Sequence, residues 1–455
     1  MRFFLVALFG ALAGCTGFTG ADVAMRHRDT DLLAEPIPAM KQFGALHVPA
    51  PSRSNPEIAA DFIDLAFRME SGRSLPVLTR FDGPVTVTLR GDVPASAQQD
   101  LTRLLQRLRS EAQIDITQTA KAAAVTIEFV PRRKIKAMHA NVACFVVPRV
   151  SSWSEFRAAR GSAKLDWATL TRRDRVAVFV PSDTSAQDVR DCLHEELAQA
   201  IGPLNDLYQL PDSVFNDDNF HTILTGFDML ILRLYNAPEL GNGMHADQVA
   251  ALLPGLLARM NPAGQRPGTP VPGHTPRIWI DAMEFALGTS SPSPQRRAAA
   301  RQALGIARAQ GWSDSRLGFS YFAVGRVNLA HDDQAAIAAF AEAARIYRNL
   351  PGGQIHAAHV DMQLAAFALS RGNATDAISL ADHAIPVVLA NENAALLATL
   401  MLIKSESLAL LGRADEARAL RLDSLGWARY GFGSQDVVRD RMRDIAALAP
   451  AQTGS

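Results

Sequence analysis

The pattern of apolar and polar positions divides the chain in two. Up to about residue 262, helical spacing and strand-like alternation take turns; beyond residue 276 only helical spacing remains. In IAADFIDLAFRME (58–70), Ile58, Phe62, Leu65, Ala66 and Met69 share one helix face. VTVTLRG (85–91) alternates strictly and predicts a strand. Pro94 opens a helix in which Leu101, Leu104, Leu105 and Leu108 recur at three- and four-residue steps. AAAVTIEFV (122–130), VACFVVP (142–148) and RVAVFVP (175–181) read as three further strands. A helix through DCLHEELAQAIGPLND (191–206) follows, with Val189, Leu193, Leu197 and Ala200 as its core stripe and Ser182 or Asp183 as its cap. Trp153, Phe156 and Trp167 are expected to clamp the loop before the last strand onto the sheet.

The segment 261–276 is rich in proline and glycine and marks the boundary between the two parts. In the helical part Ala336, Ala377 and Ala417 recur at intervals of 41 and 40 residues. Each follows a turn residue, His331, Gly372 or Gly412, by five positions. Small residues at fixed positions let paired helices approach and stack, which builds a solenoid. The pattern resembles tetratricopeptide repeats with lengthened helices, although Arg421 stands where the third copy would carry a bulky apolar group. A generic helical bundle is the alternative. The expected domains are a leader at 1–15, a tether at 16–55, a mixed α/β domain at 56–262, a linker at 263–275 and helical repeats at 276–450.

Composition narrows the function class. With 48% hydrophobic and 20% charged residues the chain can build real cores. Its 46 basic residues balance 46 acidic ones, so it offers nucleic acid no global field. Arg2 and the apolar run FFLVALFGALAG read as an export signal too short to span a bilayer. Leu12, Ala13, Gly14 and Cys15 resemble a bacterial lipobox, which implies lipidation at Cys15 and a membrane anchor; an ordinary secretion signal is the alternative. Thr16, rather than an aspartate, after that cysteine favours the outer membrane by the same resemblance. Cys144 and Cys192 would then meet in an oxidising compartment and are expected to be either a bridge or two buried thiols.

The chemistry concentrates in residues 194–206. Read from His194, the second polar group of H-E-x-x-x-Q falls about 100° away from where a second ligand must sit. Read from Glu195, the letters run E-E-x-x-Q-x-x-G-x-x-N-D and resemble the metzincin signature with all three histidines replaced. That resemblance puts Glu195, Gln199 and Asn205 in the ligand places and Glu196 in the general-base place. Gly202 is expected to end the helix in a left-handed conformation and turn Asn205 and Asp206 toward the same patch. Ser213 and Phe215, in PDSVFND, stand where metzincins carry their methionine turn, and LTGFDMLILRLYN (224–236) is similar to the closing helix of that fold. The fold class expected is α+β: a metzincin-like mixed sheet with helices, followed by all-α helical repeats.

CLHEELAQAIGPLND, PDSVFNDDN and LTGFDMLILRLY further resemble the proteobacterial lipoprotein family catalogued as domain of unknown function 2927, over roughly residues 56–262. That family implies an envelope lipoprotein and supplies no activity. His194 is therefore expected to be incidental, facing solvent or packing on a strand.

One carboxylate and two amides make a poor zinc site and a weak site for a hard divalent cation. A buried network fastening the helix to the SVFNDDN loop is the alternative. His221 and His245 are candidates for missing imidazoles; NDDN (216–219) lacks the glycine and terminal glutamate of a calcium loop and reads as a solvated turn or helix cap, and PRRKIK (131–136) as a solvated hairpin tip. The leading expectation is an envelope protein that binds a protein partner through its repeats and the membrane through its lipid, with no role in nucleic-acid binding. The alternative is an envelope hydrolase of peptide or cell-wall substrates with Glu196 as base.

Overall fold

The computed structural model describes residues 37–44, 49–139, 142–268, 273–288, 293–329 and 331–450. The leader and Cys15 lie outside them. Two compact units emerge. One comprises Val48–Thr184 and Asp188–His274, and the other is built on Thr275–Ser455.

The first unit is built on a five-stranded sheet. Its strands are β1 (Val85–Gly91), β2 (Ile116–Gln118), β3 (Val125–Val130), β4 (Phe145–Pro148) and β5 (Val176–Pro181), in the order β2-β1-β3-β5-β4. Every neighbouring pair is parallel except β4 with β5, which is antiparallel. The short edge strand β2 escapes the period-two signal because only Ile116 of its three residues is buried. Around the sheet lie α1 (Asn55–Ala66), α2 (Ala97–Ser110), α3 (Arg132–Met138), α4 (Trp153–Ala159), α5 (Ala186–Ile201), α6 (Gly226–Tyr235) and α7 (Ala246–Met260).

Strand β5 is apolar at every position because both faces of the sheet are covered. Val176, Val178 and Val180 face the larger core with Ile127 and Phe129 of β3 and Val189, Leu193 and Leu197 of α5. Ala177 and Phe179 face a smaller core built from Ile135, Trp153 and Phe156. There the Trp153 and Phe179 rings meet edge to face at 5.1 Å, which accounts for the clamping role expected of Trp153 and Phe156.

Two local expectations are corrected here. PRRKIK is no hairpin tip: Pro131 leads into α3, which buries Ile135, because the next strand, β4, does not pair with β3 but lies beyond β5, out of reach of a tight turn. Asp183 does not cap α5; its Oδ1 accepts the Arg132 backbone N–H at 2.6 Å at the start of α3.

The second unit is a run of helices: α8 (Arg277–Leu287), α9 (Ser293–Ala309), α10 (Ser315–Asn328), α11 (Asp333–Arg348), α12 (Gln354–Ser370), α13 (Ala374–Ala390), α14 (Ala394–Leu410), α15 (Ala414–Phe432) and α16 (Gln435–Ala446). Helices pair as α10 with α11, α12 with α13 and α14 with α15, and pairs stack on one another, as a helical repeat requires. Ala336, Ala377 and Ala417 are all buried at the same place in the second helix of each pair. Gly372 and Gly412 sit in the left-handed region in the turn between the two helices of a pair (φ +74° and +77°), a conformation that costs glycine little. Arg421, the departure from the repeat pattern, pairs with Glu406 at 3.2 Å. Among the described residues no helix is long and apolar enough to cross a membrane.

Candidate functional site

Helix α5 follows β5 and is buried on nearly every side; between Val189 and Ile201 only Glu195 is partly exposed. Beyond the partly exposed first turn, Glu195 is therefore the point at which this helix meets the surface. Glu196, the next residue, is 2% exposed and His194 6%.

The carboxamides in the ligand places are both spent on the fold. Gln199 Nε2 donates to Glu70 Oε1 at 3.3 Å. Asn205 Nδ2 donates to the backbone oxygen of Asp64 at 2.9 Å. Each amide ties α5, or the loop after it, to the end of α1 and the turn beyond. Asp206 is buried in the same loop. Zinc wants imidazole or thiolate, which one carboxylate and two amide oxygens do not supply, and each amide here is oriented by its own N–H donation to Glu70 or Asp64. Among the described residues no group of three or more His, Cys, Asp or Glu side chains is placed to hold a metal ion. The residues present do not fit zinc.

His194 is not incidental. It lies inside, and its Nδ1 accepts the Leu224 backbone N–H at 3.1 Å, fixing the chain just before α6. Burial, then the nearby Arg107, Arg190 and Arg103, holds its pKa well below the ordinary histidine range. A histidine neutral when folded binds a proton only when unfolded, so its contribution to stability is present above pH 6.5 and lost as pH falls below it. Comparing urea unfolding of wild type and His194→Gln at pH 7.5 and pH 5.5 should show the wild type losing about 1 kcal/mol more over that interval. Equal losses would mean the imidazole is charged in the fold.

The helix ends at Gly202, but not by a left-handed turn, since Gly202 is absent from the residues of positive φ. Glycine is needed for closeness: a Cβ there would lie 2.5 Å from Leu232 Cδ2 and 2.8 Å from the Ala198 oxygen. The cap is supplied from elsewhere. Arg173, buried in the loop before β5, donates from Nη1 to the oxygens of Gln199 and Ala200 (2.8 Å each) and from Nη2 to Gly202 O (2.6 Å) and Tyr235 Oη (3.0 Å). Its guanidinium lies 5.1 Å from the Trp167 ring and 5.4 Å from that of Tyr235. A cation at the carbonyl end of a helix is favourable. Burial nonetheless pulls its pKa below the ordinary arginine range.

Beneath α5, Ser213 and Phe215 form a buried turn. Phe215 N–H donates to Ser213 Oγ at 2.9 Å, and its carbonyl accepts Leu207 N–H at 2.9 Å. Ser213 in turn donates to Asp228, whose other oxygen accepts Val214 N–H (3.1 Å) and Thr225 N–H (2.8 Å). Burial pushes the Asp228 carboxyl up to about 6 against those donors. A second buried carboxylate, Asp61, is also raised to about 6 by burial, against the pull of Arg53 at 2.7 Å. Arg53 bridges Asp61 to Asp212 and stacks 4.8 Å from the Phe227 ring.

The remaining candidates sit apart from this helix face or serve the backbone. NDDN is not a solvated turn: Asn216 and Asp218 are buried, and Phe220 N–H and Asp218 N–H are held by their side chains. His221 Nε2 lies 2.9 Å from Pro211 O and His245 Nδ1 3.1 Å from Pro76 O, and among the described residues neither belongs to a group of three or more such side chains placed to hold a metal ion. Cys144 and Cys192 form a disulfide with Cα atoms 6.0 Å apart, fastening α5 to the segment before β4. Asp61 and Asp228 each show as a charge inside an apolar stretch, Asp228 also as the acidic member of a T-x-x-D capping box, whereas Arg53 and Arg173 lie in polar segments that give no signal.

The fold thus defines an α+β domain with a polar, buried central helix, joined to a helical-repeat unit. Residues 55–255, somewhat under half of the chain, match the model of the family described as Protein of unknown function (DUF2927). No curated protein and no solved structure gives a significant match to the chain.

Proposed function

We propose that this chain is a cell-envelope lipoprotein whose first unit is a metzincin-like scaffold put to structural and binding use, and whose tetratricopeptide-like repeats hold a protein partner. The observation that carries the reading is the donor set: one carboxylate and two carboxamides, the latter bracing Glu70 and Asp64 through their N–H groups, stand where metzincins carry three histidines. A metzincin-like origin is supported by a sheet with one antiparallel edge strand, by the helix after β5 that carries the motif, and by the Ser213–Phe215 turn leading to α6. Helical repeats present extended surfaces to other proteins, which favours a partner-binding or assembly role. The lipobox-like residues before Cys15 support a lipid anchor and periplasm-facing placement, with Thr16 favouring the outer membrane. The Cys144–Cys192 disulfide is consistent with an oxidising compartment. The hydrolase alternative needs Glu196 at a substrate, and burial of that side chain weighs against it.

Metal analysis of the purified full chain should find substoichiometric zinc, unchanged by Glu195→Ala, and peptidase and cell-wall assays should find no turnover that Glu196→Gln removes. Stoichiometric zinc lost on Glu195→Ala, together with turnover lost on Glu196→Gln, would replace this reading with the hydrolase. Incorporation of labelled palmitate, abolished by Cys15→Ser, tests the anchor separately.

A further inference from the structure

Residues 37–44 fall in the segment that composition alone reads as a tether, yet they lie against α15 within the second unit. Their burial alternates: Lys41 and Phe43 are half-buried while Gln42 and Gly44 are exposed, as in an extended peptide laid on a surface. The backbone N–H of Lys41 donates to Gly426 O at 3.0 Å. The Lys41 ammonium pairs with Asp423 and lies 5.3 Å from the Trp427 ring. Phe43 stacks on Trp427 with centroids 4.6 Å apart and meets Tyr430 edge-on at 6.1 Å.

The helix side is shaped to match. Gly426 is buried, and a Cβ there would lie 2.7 Å from Lys41 Cγ and 3.3 Å from Ala39 O. A glycine in mid-helix is destabilising relative to alanine, so close approach of the strap gives it a reason to be there. Four residues of α15 at spacings of three and four, Asp423, Gly426, Trp427 and Tyr430, converge on one segment.

We infer that this face of α15 is a peptide-docking site with specificity for a lysine followed two residues later by an aromatic ring, and that its occupant is the chain's own residues 39–43. The strap closes the site in cis. The docking itself does not depend on lipidation, and its test leaves Cys15 out.

Hydrogen–deuterium exchange on the full chain decides it. The Lys41 amide should exchange at least tenfold more slowly than in Phe43→Ala. Lys41→Glu should release the segment, and adding Asp423→Lys should restore its protection. Gly426→Val should release the strap without altering it; should that variant fail to fold, the charge exchange still decides. A labelled peptide of residues 37–44 should bind the Phe43→Ala chain at least tenfold more tightly than the wild type, whose site is filled. Wild-type exchange at Lys41 at the unprotected rate, or protection indifferent to Phe43→Ala and to the charge exchange, overturns the inference. So does equal peptide binding to both chains.

Discussion

Replacing Arg173 by methionine is expected to lower the unfolding free energy of the first unit by about 4 kcal/mol. The substitution keeps much of the side chain's apolar bulk and removes all its donors. Three helix-end oxygens, those of Gln199, Ala200 and Gly202, then lose the guanidinium in a place closed to water. A buried acceptor left unsatisfied costs about 1–3 kcal/mol, and the three lie close enough together for their losses to overlap. Tyr235 loses one partner but keeps its own donation to Thr79 O at 3.0 Å, which limits the damage on that side. Part of the loss is offset because burying the guanidinium was itself expensive. Arg173→Lys retains the charge without the planar fork and should recover less than half of the loss. Urea unfolding with an unchanged m value measures both variants. A loss below about 1 kcal/mol would mean that packing of Leu232 over Gly202, not the guanidinium, holds the end of α5.

Removing the Cys144–Cys192 bridge by the paired change Cys144→Ala and Cys192→Ala is expected to cost a similar amount. The bridge closes a loop of sequence separation 48, for which loss of chain entropy in the unfolded state amounts to about 4 kcal/mol. Both cysteines are buried in the main core, so the two alanines also leave a small void and add to the loss. The wild type unfolded in the presence of a reductant should fall to nearly the stability of the double variant. If reductant leaves the wild type unaltered and the variant is as stable as the oxidised protein, the bridge does not constrain the unfolded chain.

These two expectations come from opposite ends of what the letters of the chain reveal. Two cysteines behind a segment that reads as an export signal invite consideration of a bridge on composition alone. No local pattern leads to Arg173, because what it caps lies 26 to 29 residues downstream and is reached only after the chain has passed through β5. Asp183 is a similar case: a good capping residue just ahead of α5, it serves α3, 51 positions earlier, because parallel pairing of β3 with β5 brings their ends together. His194 has no place in the register that starts from Glu195, yet it holds the chain ahead of α6.

What the sequence by itself determined is what near neighbours settle: the main strands through alternation in β1 and short apolar runs in β3 to β5, the amphipathic helices through three- and four-residue spacing, and the repeats through alanines and turn residues 40 or 41 positions apart. These are short-range consequences of backbone geometry and apolar burial, and they survive in any reasonable packing. Only the tertiary structure decided the order of the sheet, the pairing of the three-residue edge strand β2, and the partners of Gln199 and Asn205. An amide side chain is equally suited to hold an ion or to brace a loop. Which it does depends on the groups brought opposite it, here Glu70 and Asp64, from more than a hundred residues away.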